Sequence, residues 1–290
     1  MQSLWMLAAS FLFAAMGVCV KLAADSFSAP EIVFYRSAIS LCLMFSLMQV
    51  RGIAFATNNW RHQFFRGASG FVSLLMYFYA IAMLPLAAAV SLNYTSPLFL
   101  AIYFSAFAGM RLRGNMILAL LIGFVGVVVL LQPTFAADQL LGGLIALGSG
   151  IISGLAYFNV RELGSRGEPE ERTVFYFSLF ATLCSALWML LYEFHPVDLR
   201  GALLLLGVGG FATLAQLAMT RAYKRGKPMV TASLAYTAII FASVFGMLLW
   251  DEVLTASAWL GIALIVVSGI AASRLSRAES SPSWLNRIKL

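Results

Sequence analysis

Ser91-Leu92-Asn93-Tyr94-Thr95-Ser96-Pro97-Leu98-Phe99 is followed, 142 residues later, by Ser233-Leu234-Ala235-Tyr236-Thr237-Ala238-Ile239-Ile240-Phe241. Five of the nine positions are identical, and the spacing is nearly half of a 290-residue chain. Apolar segments share a small alphabet and match by chance, but a polar S-L-x-Y-T core makes chance the weaker explanation. If an odd number of membrane spans separates the two copies, the halves lie upside down relative to one another. Secondary transporters often use this design, with the substrate held between the halves.

Composition requires the membrane. Hydrophobic residues make up 61% of the chain and charged residues 11%, against about 25% charged in an ordinary soluble domain. The cysteines Cys19, Cys42 and Cys184 all lie in apolar runs, which argues against a disulfide framework or a metal site. A net charge of +7 is compatible with nucleic-acid binding, but the cations sit in short connections where membrane orientation explains them better. Residues Leu4 to Val20 are apolar with no preceding Lys or Arg, and the first cation is Lys21. A secretory signal has the reverse order, so this segment reads as a retained first span.

A bilayer core of about 30 Å takes about 20 helical residues. Apolar runs of that length fit ten times, over 4–22, 30–49, 64–84, 87–108, 114–132, 140–160, 173–192, 201–221, 229–250 and 255–273. Lys and Arg then divide between alternate connections sixteen to two, with Arg36 inside a span. By the positive-inside rule both termini are cytoplasmic, in an inner (plasma) membrane. The expected fold is all-α integral membrane: ten transmembrane helices as two inverted five-helix repeats around a central cavity. The repeats are residues 1–136 and 137–275, followed by a basic cytoplasmic tail, 276–290.

Polar side chains recur at helical spacing on five spans. They are Ser69, Ser73 and Tyr77; Ser91, Tyr94 and Thr95; Ser149, Ser153 and Tyr157; Thr213, Gln216 and Thr220; and Ser233, Tyr236 and Thr237. Residues three, four or seven apart share a helix face, and stripes that must avoid lipid can converge on one cavity. A single Ser or Thr is better read as a packing contact, as in Gly150-x-x-x-Gly154. Larger polar groups gain more from water or ligand. The expected substrate-binding set is Tyr77, Asn93, Tyr94, Thr95, Ser153, Tyr157, Gln216, Tyr236 and Thr237.

Pro97 cannot donate to the Asn93 carbonyl four residues back, so it frees an acceptor there; Pro85, Pro97 and Pro228 are candidate hinges or kinks. Lys21, Glu31 and Arg36 admit two readings. One is a structural charge cluster in which Glu31 or carbonyls neutralise Arg36. The other is an electropositive outer mouth for carboxylates or phosphates. No Asp or Glu falls near the middle of a span, so transport is expected to be facilitative or exchange-type, or any proton coupling to run through Glu31.

Pro30-Glu31 with Phe34-x-Arg36, Leu84-Pro85-Leu86-Ala87 before Tyr94-Thr95-Ser96-Pro97-Leu98-Phe99, and Trp250-Asp251-Glu252-x-Leu254-Thr255 before Gly261-x-x-Leu264-Ile265-x-x-x-Gly269 resemble the EamA-type carriers of the drug/metabolite transporter superfamily. The resemblance covers residues 1 to about 275. It implies a basket of ten helices with a cavity lined by spans 1, 3, 4, 6, 8 and 9. It also implies a small-molecule substrate: an amino acid, a nucleotide-like metabolite or a drug. The first half departs from the family pattern at Gly109-Met110-Arg111, where an acid is common.

The expected function is a secondary transporter of a small polar metabolite, an amino acid or related compound, by export. A lipid flippase and an exchanger for anionic metabolites are the alternatives. No Walker sequence implies an ATPase subunit. No H-E-x-x-H, no G-x-S-x-G and no cofactor motif points to an enzyme.

Overall fold

The computed structural model describes residues 4–108, scattered positions between 114 and 129, and residues 140–190, 195–225, 231, 234–251 and 253–279. The helices are α1 (Trp5–Ala23), α2 (Ala29–Val50), α3 (Trp60–Met83), α4 (Leu86–Asn93), α5 (Ser96–Ala108), α6 (Leu140–Ser165), α7 (Glu170–Met189), α8 (Leu199–Arg225), α9 (Thr237–Trp250) and α10 (Ala256–Glu279). No strand occurs among the described residues. Lipid offers no partner to an open backbone, so the apolar runs resolve as helices. Among the described residues seven segments are long and apolar enough to cross a membrane, with α4 and α5 counted together as Leu86–Phe107, while α9 and α10 contribute shorter apolar stretches. The expected fifth span, Pro228, Ser233 and Glu252 lie wholly or mostly outside the described residues. Large apolar side chains such as Leu43, Phe64, Leu187, Leu203, Leu206 and Leu248 are exposed on the outside of the bundle, as a lipid-facing surface requires.

The fourth expected span is broken. Pro85 caps α4, which ends at Asn93; Tyr94 and Thr95 form a turn, and α5 starts at Ser96 with Pro97 as its second residue. Proline lacks the N–H that would carry the ladder across. Thr95 Oγ1 donates instead to the Leu92 carbonyl at 2.7 Å. The break lies directly on Gly150 of α6, where an added Cβ would stand 2.7 Å from the Leu92 oxygen and 3.0 Å from the Asn93 oxygen. The Gly150-x-x-x-Gly154 pair is therefore a close-approach surface.

A turn at Tyr236 likewise precedes α9. There Thr237 Oγ1 donates to the Leu234 carbonyl at 2.6 Å, and Ser10 Oγ of α1 reaches the Leu234 and Ala235 carbonyls at 3.4 Å each.

Packing pairs α1 with α8, α3 with α6 and α2 with α7 most extensively; α4 also meets α6, α1 meets α9, and α4 meets α9. One end of the bundle is tied by charge. Glu168 accepts hydrogen bonds from Thr57, Asn59 and Arg172, Glu170 pairs with Arg225, and Glu171 pairs with Arg51. Gly167, at φ +79°, turns α6 toward α7 at this end. At the other end Glu31 closes a capping box, accepting from the Ser28 N–H at 2.7 Å. It also accepts from the His195 N–H at 2.8 Å, which ties the start of α2 to the segment before α8.

Candidate substrate cavity

The helices enclose a cavity of about 70 Å³. α3 supplies Arg66, Gly70, Ser73, Leu74 and Tyr77; α4 and its cap supply Asn93 and Tyr94. Ser153, Ala156 and Tyr157 come from α6 and Gln216 from α8, with Phe13 and Met16 from α1, Arg36 from α2 and Phe177 from α7.

One wall is a hydrogen-bonded seam. Asn93 Nδ2 donates to Ser149 Oγ at 2.8 Å, and Ser149 Oγ donates onward to the Ala146 carbonyl at 2.6 Å. Ser73 Oγ lies 2.5 Å from Ser153 Oγ and 3.0 Å from the Ser149 carbonyl. These bonds tie α3 and α4 to α6, so Asn93 and Ser153 hold the wall together as well as face the cavity. Tyr157 stacks on Tyr223 of α8, with ring centroids 5.8 Å apart.

The other wall is charged. Arg36 is 1% exposed and Arg66 3%. Both guanidinium groups lie over the Phe177 ring, at 5.2 Å and 4.2 Å from its centroid. Arg66 Nη2 reaches Gln216 Oε1 at 3.5 Å, the outer limit of a hydrogen bond. The Nε and Nη1 atoms of both arginines have no hydrogen-bond partner among the described residues. Gly70 makes this wall possible: a Cβ there would collide with Arg66 Nη1 and stand 2.8 Å from Phe177 Cε2.

Six of the nine expected binding residues, Tyr77, Asn93, Tyr94, Ser153, Tyr157 and Gln216, meet at this cavity. Thr95, Tyr236 and Thr237 do not line it. Thr95 and Thr237 close the two helix breaks, and the Tyr236 hydroxyl is buried without a partner among the described residues. The residues Lys21, Glu31 and Arg36 are not brought together. Lys21 lies over the Trp250 ring at 4.7 Å, Glu31 binds Ser28 and His195, and Arg36 turns into the cavity.

Sequence reasoning missed Arg66, Phe177 and Gly70. Arg66, two residues inside the span expected over 64–84, counts there as an end-of-span cation, whereas α3 starts at Trp60 and sets it almost two turns in. The lining also differs from the expected six spans: α2 and α7 contribute, and no described residue of α9 does.

A bundle with an apolar outer surface and a cavity lined by polar and charged side chains has the form of a membrane carrier, and the comparisons with known proteins agree. The family model described as the EamA-like transporter family matches residues 1–132 and again 140–274. The chain belongs to that family and is an integral membrane protein. It is 35% identical over 269 residues to a pseudopaline exporter of Pseudomonas aeruginosa, covering 93% of this chain and 94% of that one. It is 26% identical to a riboflavin transporter of Vibrio cholerae, covering 92% and 90%. One solved crystal structure, 21% identical, superposes with a TM-score of 0.72 over 97% of this chain and 99% of its own, a likeness of fold.

Proposed function

We propose that the chain is an alternating-access secondary transporter that exports a small polar metabolite, an amino acid or related compound, across the inner membrane, with both termini cytoplasmic. The observation that carries this reading is the central cavity, built from α1 to α4 on one side and α6 to α8 on the other. At about 70 Å³ it holds roughly two waters, whereas small-molecule sites run to about 300–1,000 Å³. Loading a ligand of that size would require the helices to part.

Two inverted halves, 1–136 and 137–275, rocking about this cavity would supply the motion. The twofold family match supports that division. So does the packing: if α1 corresponds to α6, α3 to α8 and α4 to α9, then α1 on α8 mirrors α6 on α3, and α1 on α9 mirrors α6 on α4. Export is the reading favoured by the name of the Pseudomonas relative.

The test places a cysteine at Ala156, a small lining residue, in protein lacking Cys19, Cys42 and Cys184. Membrane-impermeant thiol reagents applied from either face of oriented vesicles should each label it. Labelling from one face alone would contradict alternating access.

A further inference from the structure

We infer that the cavity is a dianion site: Arg36 and Arg66 receive a small molecule carrying two carboxylates, one per guanidinium, over the Phe177 ring. This rests on the cavity being the transport site of the proposed function, and it narrows the small polar metabolite to a dicarboxylate in place of a neutral amino acid. Elsewhere the described chain answers buried charge with charge. Glu168 meets Arg172, Glu170 meets Arg225 and Glu171 meets Arg51. The cavity breaks that pattern. Among the described residues its lining includes no Asp, Glu, Lys or His beside the two arginines, and neither arginine makes an ion pair there.

Burying a guanidinium without a counter-ion is costly, and a shared aromatic face offsets only part of that cost. A fold gains nothing structural from two such groups side by side. A ligand bringing two negative charges completes both at once, through the paired N–H···O bonds that guanidinium makes with carboxylate. Arg36 stands two turns into α2 and Arg66 two turns into α3, and both reach one ring. The two charges therefore lie within the span of a single small molecule. A zwitterionic amino acid would answer only one of them, and its ammonium would find no acid in the lining. Tyr77, Tyr157 and Gln216 remain to hydrogen-bond the rest of the ligand.

The test is a thermal-shift and calorimetric titration of the purified full chain with succinate, glutarate, propionate, alanine and inorganic phosphate. Succinate or glutarate should raise the melting temperature at concentrations where propionate and alanine do not. Arg36→Met and Arg66→Met should each weaken dicarboxylate binding at least about tenfold, the loss of a charge-assisted bond pair. Each should also melt no lower than wild type without ligand, because an uncompensated buried charge has been removed. If both Met variants melt lower, Arg36→Lys and Arg66→Lys decide the matter: a retained, weakened dicarboxylate response supports the site, and none overturns it. The inference also falls if dicarboxylates leave wild type unmoved, if the response survives in the double Met variant, or if phosphate alone acts. Two-sided labelling at Ala156→Cys would stand in any of those cases, so the transport reading is judged separately.

Discussion

Thr95 and Thr237, 142 residues apart, close the same hydrogen bond: each hydroxyl donates to the carbonyl three residues back, Leu92 at 2.7 Å and Leu234 at 2.6 Å. A helix interrupted inside a bilayer must satisfy the acceptors it frees, and both breaks do so with threonine. What lies beneath them differs. Gly150 of α6 admits the first break by bare contact, while Ser10 of α1 offers its hydroxyl to the Leu234 and Ala235 carbonyls in the second. The correspondence of α6 with α1 under the same pairing supports two related halves. Each break follows directly on a tyrosine, but only Tyr94 lines the cavity.

Replacing Gly150 by alanine should destabilise the protein by about 1–3 kcal/mol, the usual cost of overpacking. The new methyl meets backbone oxygens and the Thr95 hydroxyl, none of which is a flexible side-chain end. Thermal unfolding in detergent reads the loss directly.

Tyr236→Phe should have the opposite sign. The Tyr236 hydroxyl is buried without a partner among the described residues, and a buried unsatisfied group costs about 1–3 kcal/mol. The phenylalanine variant should melt at or above the wild-type temperature. A lower melting temperature would mean that the hydroxyl has a partner in solution.

Gly70→Ala should cost both binding and stability. Alanine favours the α3 helix by about 1 kcal/mol, but its methyl occupies the place of the Arg66 tip and stands 2.8 Å from Cε2 of the buried Phe177 ring. Arg66 moves off Phe177, flux should fall several-fold, and the overpacking should lower the melting temperature. Vesicle transport and unfolding measured on the same preparation test this.

Glu168 sets a pH dependence at the charged end of the bundle. Burial pushes its carboxyl up, but hydrogen bonds from Asn59, Thr57 and Arg172, with the Arg172 charge, outweigh that and hold it below its ordinary 4.5. A carboxyl depressed on folding stabilises above its unfolded value and loses that contribution as pH falls through the folded one. Wild type should therefore lose stability below about pH 4.5. Glu168→Gln should start lower and lack that component of the decline. Melting curves across this range distinguish the two.

Much of the fold was legible because the bilayer enforces it. The first span, expected over 4–22, is α1 at Trp5–Ala23, and the second, expected over 30–49, is α2 at Ala29–Val50. The break after Asn93 was signalled by Pro97 but read as a kink, since sequence does not reveal that Gly150 would make room for a full interruption. The cavity was half legible through its tyrosine, serine and amide stripes. Its charge was not, because a cation near a span end reads as topology. One signal was available: Arg66 lies seven residues before Ser73 and eleven before Tyr77, on the stripe already recognised. Phe177 carried no such mark, being one apolar residue among many.

The two acid-free arginines bear on what could power the carrier. Loaded with a dianion, the site crosses the bilayer as a neutral unit; unloaded, it carries two positive charges. A resting voltage negative on the cytoplasmic side would leave that neutral step untouched and draw the vacant cationic site back inward, with about 2.3 kcal/mol per charge per 100 mV. Such a cycle would run on membrane voltage alone, without a proton or sodium ion travelling alongside.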